Sequence, residues 1–182
     1  PTPKKGNFNL IPFVTGAASK QAGEKVLLSA SAGLDARVSV SPTLNLDLTF
    51  NPDFSQIEVD ELVTNLTRFN IFLPEKRTFF LENGDLFADF GYSAVRPFFS
   101  RKNGLDDNRN AVPILYGVRL TGNLDKTTRI GLMNIHSLDS ENAFGQNQSA
   151  VSIQKNFGRS YIRGLLLNRQ AFDVSARVGY DL

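Results

Sequence analysis

Residues 34–50 read LDARVSVSPTLNLDLTF, and this stretch decides the fold. Apolar side chains stand at every second position on both sides of Pro42, with polar or charged side chains between them. The apolar set is Leu34, Ala36, Val38 and Val40 before the turn and Leu44, Leu46, Leu48 and Phe50 after it. Successive side chains of a β-strand point to opposite faces, so the stretch predicts a β-hairpin with one apolar and one polar face.

The same alternation returns twice further along the chain. Residues 118–121 and 129–135 predict a second hairpin, and residues 151–154 and 161–168 predict a third. A further strand is expected to begin at Val174. The sequence therefore predicts an all-β protein, an antiparallel meander of hairpins in a single β-rich unit over residues 1–182.

The connections between the predicted strands differ in length. Those at Pro42, 123–126 and 156–159 are tight, whereas those at 105–111 and 137–148 are longer and polar. Short turns on one side and long loops on the other are typical of outer-membrane β-barrels. We therefore expect the chain to form part of such a barrel, although a soluble meander can have the same asymmetry.

Composition excludes several classes of function. The 182 residues contain no cysteine and one histidine, so thiol catalysis and sites with several Cys or His ligands are excluded. The net charge is +2, and no basic cluster exceeds Lys4-Lys5 or Arg101-Lys102, so no nucleic-acid partner is expected. No apolar run is long enough for a transmembrane helix. No cofactor is predicted, and the chain ends suggest a piece of a longer polypeptide.

Residues 51–101 depart from the strand pattern. Residues 56–66 have nearly helical apolar spacing, and Pro74, Gly84 and Gly91 interrupt the rest. A connection this long inside a compact domain is usually functional or folded on itself. We expect a plug-like inserted segment.

Several motifs in this region and after it resemble the DUF5916 family. They are NPDFSQIEVD at 51–60, NLTRF at 65–69, PEKRTFFLE at 74–82, PFFSRK at 97–102 and PILYGVRLTG at 113–122. The resemblance covers residues from about Asn7 to Leu182. Five motifs in the same order make it specific.

The resemblance implies a context for the chain. Members of that family, found mainly in Bacteroidota-like Gram-negative bacteria, carry a signal peptide and a carbohydrate-binding family 9-like domain before a long region that forms an outer-membrane-type barrel. The implied partners are outer-membrane lipid and the rest of the same polypeptide. The implied role is structural or solute uptake, with an oligosaccharide as the candidate solute.

The densest group of charges is a candidate binding site. Glu75, Lys76, Arg77 and Glu82 lie among phenylalanines, with Arg101 further along. Arginine forks and aromatic faces are suited to a polar solute such as an oligosaccharide. The alternative is that the two glutamates pair with Lys76, Arg77 or Arg101 to hold the insertion in place, because buried charges are normally paired.

A second candidate is the acidic group Asp53, Glu58, Asp60 and Glu61. Carboxylate oxygens are ligands for a hard cation such as calcium. Turn and helix-cap roles explain the same residues, and they are favoured for Asp53 after Asn51-Pro52.

Two other classes of function stay open. A soluble β-sandwich-like module would bind carbohydrate or protein on its polar face, and its apolar faces would pack together. A glycosidase needs two closely placed carboxylates, but sequence spacing does not establish such a pair. His136 is interpreted as a strand-end residue because no nucleophile-elbow motif accompanies it.

Overall fold

The alternation around Pro42 extends, in the computed structural model, through eight antiparallel strands in one sheet. The structure describes residues 7–19, 27–52, 75, 77–91, 96–98, 100, 103–104, 112–139, 144–173 and 177–181. The strands are β1 (Phe8–Ser19), β2 (Leu27–Ser41), β3 (Leu44–Phe50), β4 (Ile114–Asn123), β5 (Thr128–Ser137), β6 (Gln146–Phe157), β7 (Ser160–Asp173) and β8 (Arg177–Asp181).

The sheet order is the sequence order, β1 to β8, so every strand pairs with its neighbours along the chain. The prediction of an all-β antiparallel meander is confirmed, and all three predicted hairpins are present. The expected last strand is described from Arg177 onward, and residues 174–176 lie outside the described residues. Strand β1 and the first half of β2 extend the sheet beyond the predicted strands.

Short turns join three pairs of strands at one end of the strands. They lie at 42–43, 124–127 and 158–159, as the sequence predicts. In the second, the Asp125 carboxylate accepts hydrogen bonds from the backbone N–H groups of Thr127 and Thr128 at 2.7 and 2.9 Å. Gly158, in the third, has a φ of +61°, which a residue without a side chain adopts most easily.

The connections at the opposite end of the strands are more varied in length. Residues 51–113 join β3 to β4, and residues 138–145 join β5 to β6, whereas only residues 174–176 join β7 to β8. The predicted insertion, 51–101, falls within the first of these connections. Its possible helix at 56–66 lies outside the described residues.

The sheet is open in the described part of the chain, since no ladder there joins β1 to β8. A closed barrel therefore stays a prediction. No helix among the described residues has the length and hydrophobicity needed to cross a membrane.

Two four-residue helices lie in the β3–β4 connection, α1 (Thr78–Leu81) and α2 (Asp85–Ala88). They pack on one face of the sheet, where Leu86 and Phe87 join Met133, Ile135 and Ala150 in the buried core. Further members of this core are Phe80 and Ile114, with Phe79, Phe98, Leu165 and Leu167 packed against it.

Two glycines on adjacent strands make room for the helical segment. A Cβ atom on Gly131 would lie 2.7 Å from the Phe87 ring, and one on Gly117 would lie 3.0 Å from the Phe79 ring. Real Cβ atoms essentially never approach within 3.0 Å of another heavy atom, so these strand glycines permit close approach of the aromatic rings.

Candidate functional site

The face of the sheet beneath the two helices is built from polar positions of the alternating pattern. Asp47, Thr49, Arg119 and Thr121 are buried there, and Arg119 and Thr121 are 1% and 0% exposed. Their strand neighbours Leu46, Leu48, Val118 and Leu120 lie on the opposite face and are half-buried. The segment 77–91 thus covers the polar face of the sheet.

A four-residue charge network lies at the centre of this face. Strand register places Asp47 between Arg37 and Arg119. Arg37 Nε donates to Asp47 Oδ1 at 2.6 Å, and Arg119 Nη2 donates to Asp47 Oδ2 at 2.7 Å. Arg37 also forms an ion pair with Glu82. One aspartate therefore binds two arginines from its neighbouring strands, and Glu82 supplies the second negative charge.

Arg119 also binds the insertion directly. Its Nη1 donates to the carbonyl oxygen of Glu82 at 2.7 Å, and its guanidinium lies 5.2 Å from the Phe79 ring centroid. A buried arginine is tolerated only when its charge is neutralised and its donors are used. Arg119 meets this requirement by joining β3, β4 and the segment after α1.

Two further arginines of the sheet bind acids of the same segment. Arg129 on β5 holds Asp85 with hydrogen bonds of 2.7 and 3.2 Å. Arg163 on β7 lies 3.7 Å from Asp89. The acids at 82, 85 and 89 therefore bind arginines of β2, β5 and β7, in the order in which these strands follow along the chain.

Glu75 and Arg77 form a separate pair within the insertion. Arg77 Nε and Nη2 each donate to the Glu75 carboxylate at 2.9 Å. The remaining contacts of the guanidinium include the carbonyl oxygens of Ser100 and Asn103, and the Phe80 ring lies 4.2 Å away. Burial acts to raise the pKa of Glu75, but the hydrogen bonds and charge of Arg77 outweigh it, so the pKa is held below its ordinary value.

A cavity of about 190 Å³ lies between α1 and the polar face. Its polar lining comes from Asp35 and Thr49 on the sheet and from Arg77 on the insertion. Thr49 Oγ1 donates to Asp35 Oδ1 at 2.6 Å. The rings of Phe13, Phe79 and Phe80 form much of the apolar lining.

The predicted site residues fall into two networks. Glu75 pairs with Arg77, as the structural alternative expects, whereas the ion pair of Glu82 within the described part of the chain is with Arg37 of the sheet. Lys76, Arg101, Asp53, Glu58, Asp60 and Glu61 lie outside the described residues, so their predicted roles stay predictions. The oligosaccharide-binding role of Glu75, Arg77 and Glu82 likewise stays a prediction.

Sequence reasoning missed the arginines of the sheet. Arg37 and Arg119 occupy the polar positions of strands whose alternation was evident, so pairing β3 with β4 would have placed Asp47 opposite Arg119. No group of three or more acidic or histidine side chains suited to a metal occurs in the described ranges. His136 stacks on Tyr116, with ring centroids 5.5 Å apart, at the start of β4 and the end of β5.

The fold and site define a β-meander protein with one face covered by an inserted, ion-paired segment. The family model described as Domain of unknown function (DUF5916) matches residues 6–155, and the chain belongs to this family. A comparison with curated proteins finds no match. No solved structure matches the chain either.

Replacing Arg119 with methionine is expected to lower the free energy of unfolding by about 3–5 kcal/mol, because Asp47 loses one of its two arginines inside the protein. The measurement is urea unfolding of wild type and variant under the same refolding conditions. Arg129→Met is the matched control. Arg129 is 25% exposed and its partner Asp85 39%, so its loss should cost about 1 kcal/mol or less. Equal losses for the two variants would contradict the central role of Arg119.

The lowered pKa of Glu75 predicts a pH dependence of stability. The unfolded chain binds a proton at this carboxyl at higher pH than the folded chain does. The stabilisation is therefore present above the unfolded pKa and is lost as pH falls through the lower folded pKa.

We expect wild type to lose more free energy of unfolding than Glu75→Gln between about pH 6 and about pH 3, with unfolding followed at each pH. Identical pH profiles would show that the Arg77 pair contributes nothing to acid sensitivity.

Proposed function

We propose that this chain forms part of the wall of an outer-membrane-type β-barrel, with residues 77–91 as a plug segment on the inner, polar face. The observation that carries the proposal is the polarity of the sheet. Its apolar face is uncovered in the described part of the chain, and its polar face is the one that the insertion covers.

One row of the apolar face is continuous across the sheet. Strand register aligns one apolar residue from each of seven strands in a single row: Phe8, Val38, Leu46, Leu120, Leu132, Val151 and Leu166. Within this row Phe8 is 59% exposed and Leu166 is 67% exposed. An uncovered apolar surface of this kind indicates contact with an apolar medium or a partner.

The position of the insertion favours lipid as that medium. In water, the hydrophobic effect would drive Leu86 and Phe87 against the apolar face, because that arrangement buries both surfaces. They pack instead on the other face, against Met133, Ile135 and Ala150, and this is the face that also carries Arg119 and Asp47. This arrangement is the one expected when lipid already covers the outer face and the polar face lines the interior of a barrel.

Strand length agrees with the proposal. A tilted transmembrane strand needs about 9–11 residues. β1, β2, β6 and β7 have 12, 15, 12 and 14 residues, and β4 and β5 have 10 each. Only β3 and β8, with 7 and 5 residues, are shorter.

The proposed partners follow from the two kinds of unpartnered surface. Outer-membrane lipid would cover the apolar face. The edges of β1 and β8 carry backbone groups without a neighbouring strand in the described sheet, and further strands of the same polypeptide would pair with them to close the barrel. The proposed role is a structural and solute-uptake one. The soluble-sandwich alternative requires a second sheet, and the described residues form one.

The test is an arginine placed on the apolar face. Leu132 lies in the middle of β5, and we expect Leu132→Arg to cost about 2–4 kcal/mol of folding free energy in phospholipid vesicles, because a charge at the membrane centre is poorly solvated. Leu124 lies in the adjacent turn and is 63% exposed, so Leu124→Arg should cost about 1 kcal/mol or less.

The wild type and both variants are refolded into vesicles with the strands that close the barrel included in the polypeptide, and urea unfolding and protease resistance are measured. The membrane proposal would be contradicted if all three proteins folded in lipid-free buffer and the free energy of unfolding of Leu132→Arg lay within about 0.5 kcal/mol of wild type. A difference that small is usual for a surface substitution.

A further inference from the structure

We propose that the cavity between α1 and the polar face of the sheet binds a small organic ammonium ion with an apolar body. The inference goes beyond the membrane role and does not depend on it, because the cavity is built entirely from side chains and backbone within the protein.

The charge of the cavity is the first argument. Asp35 is half-buried, and its carboxylate accepts a hydrogen bond from Thr49 but forms no ion pair with a described cation. Arg77 also lines the cavity, but its charge is neutralised by two hydrogen bonds to Glu75. The neighbouring arginines Arg37 and Arg119 are bound to Asp47. Among the described residues, one negative charge without an ion-pair partner therefore faces the cavity, and it favours a monovalent cation.

The lining is the second argument. Phe13, Phe79 and Phe80 line the cavity. Arg119 and Arg77 already lie against the Phe79 and Phe80 rings, so Phe13 is the ring on which the aromatic contribution chiefly depends. Aromatic faces attract ammonium groups, and a carboxylate beside such rings is a common combination for an amine. Gly117 lines the cavity without a side chain, which leaves space beside Thr49 and Phe79. A Cβ there would lie 2.8 Å from the Thr49 methyl carbon and 3.0 Å from the Phe79 ring.

The size is the third argument. The cavity holds about 190 Å³. An apolar cavity of about 150 Å³ is sufficient for benzene. A ligand with one six-membered ring, or an aliphatic body of similar volume, and one ammonium group fits this space.

The few hydrogen-bonding groups of the cavity favour an amine over a sugar as its ligand. A monosaccharide carries several hydroxyl groups, and each one buried without a partner weakens binding. The side chains of the cavity offer Asp35 and Thr49, while Arg77 is largely occupied by Glu75, Ser100 and Asn103. A single charged group on an apolar body is satisfied by this set.

The test uses benzylammonium as the probe and benzyl alcohol as its neutral match in shape. Each is titrated calorimetrically into the folded chain, with a protein-free blank of the same detergent or lipid. We expect benzylammonium to bind at least about tenfold more tightly than benzyl alcohol, since one close charge pair contributes about that factor. Equal affinities, or no binding of benzylammonium, would overturn the proposal.

Two variants locate the binding site. Asp35→Asn should weaken benzylammonium binding about tenfold and leave benzyl alcohol unchanged, whereas Asp139→Asn, at an exposed position that does not line the cavity, should change neither. Unchanged affinity in Asp35→Asn would place any binding elsewhere.

Phe13→Leu keeps the charge and removes one ring, so it should weaken benzylammonium binding about threefold. Circular dichroism checks that each variant is folded. If Asp35→Asn does not fold, the Phe13→Leu result and the comparison of the two probes in wild type decide the question, and unchanged binding in Phe13→Leu would then count against the cavity.

Discussion

Arg119 is almost completely buried, and the arrangement around it depends on neutralising its charge there. The pairing of β3 with β4 provides this neutralisation, because it sets Asp47 directly opposite Arg119. Arg37, on β2, forms an ion pair with Asp47 from the side opposite to Arg119. It also forms an ion pair with Glu82 of the inserted segment. The position of the inserted segment over the sheet is thus linked to strand register, since a one-residue slip would move all of these side chains to the opposite face.

The polar face is divided into two halves with different chemistry. The row that begins with Arg37, Asp47 and Arg119 on β2–β4 continues as Met133 and Ala150 on β5 and β6. Glu82 lies over the charged half, and Phe87 packs with the apolar half. Asp85 and Asp89 of the same segment bind Arg129 on β5 and Arg163 on β7. The segment 77–91 is therefore held to the sheet by ion pairs with three strands and by apolar packing.

The sequence predicts the sheet well because alternation with period two is a local property. Residues 34–50 therefore predict both the hairpin and its two faces. The sequence does not predict strand β1, because Ile11, Pro12 and Phe13 are consecutive apolar residues and interrupt the alternation. The strand forms nevertheless, since it pairs with β2 along its whole length. The helices α1 and α2 have four residues each, which is too short for a helical period to appear. The partners of Glu82 could not be predicted, since they come from β2 and β4 across a long connection.

The central claim is that the apolar face contacts lipid while the polar face holds the insertion. The chain contains no cysteine, so a single cysteine introduced at a chosen position carries the only spin label and no native cysteine has to be replaced. The most direct measurement is the accessibility of a label at Leu132, and of one at its neighbour Met133, to oxygen and to a water-soluble nickel chelate in vesicles. The account predicts high oxygen and low nickel accessibility at Leu132, and low accessibility to both at the buried Met133. High nickel accessibility at Leu132 would place the apolar face in water and contradict the account.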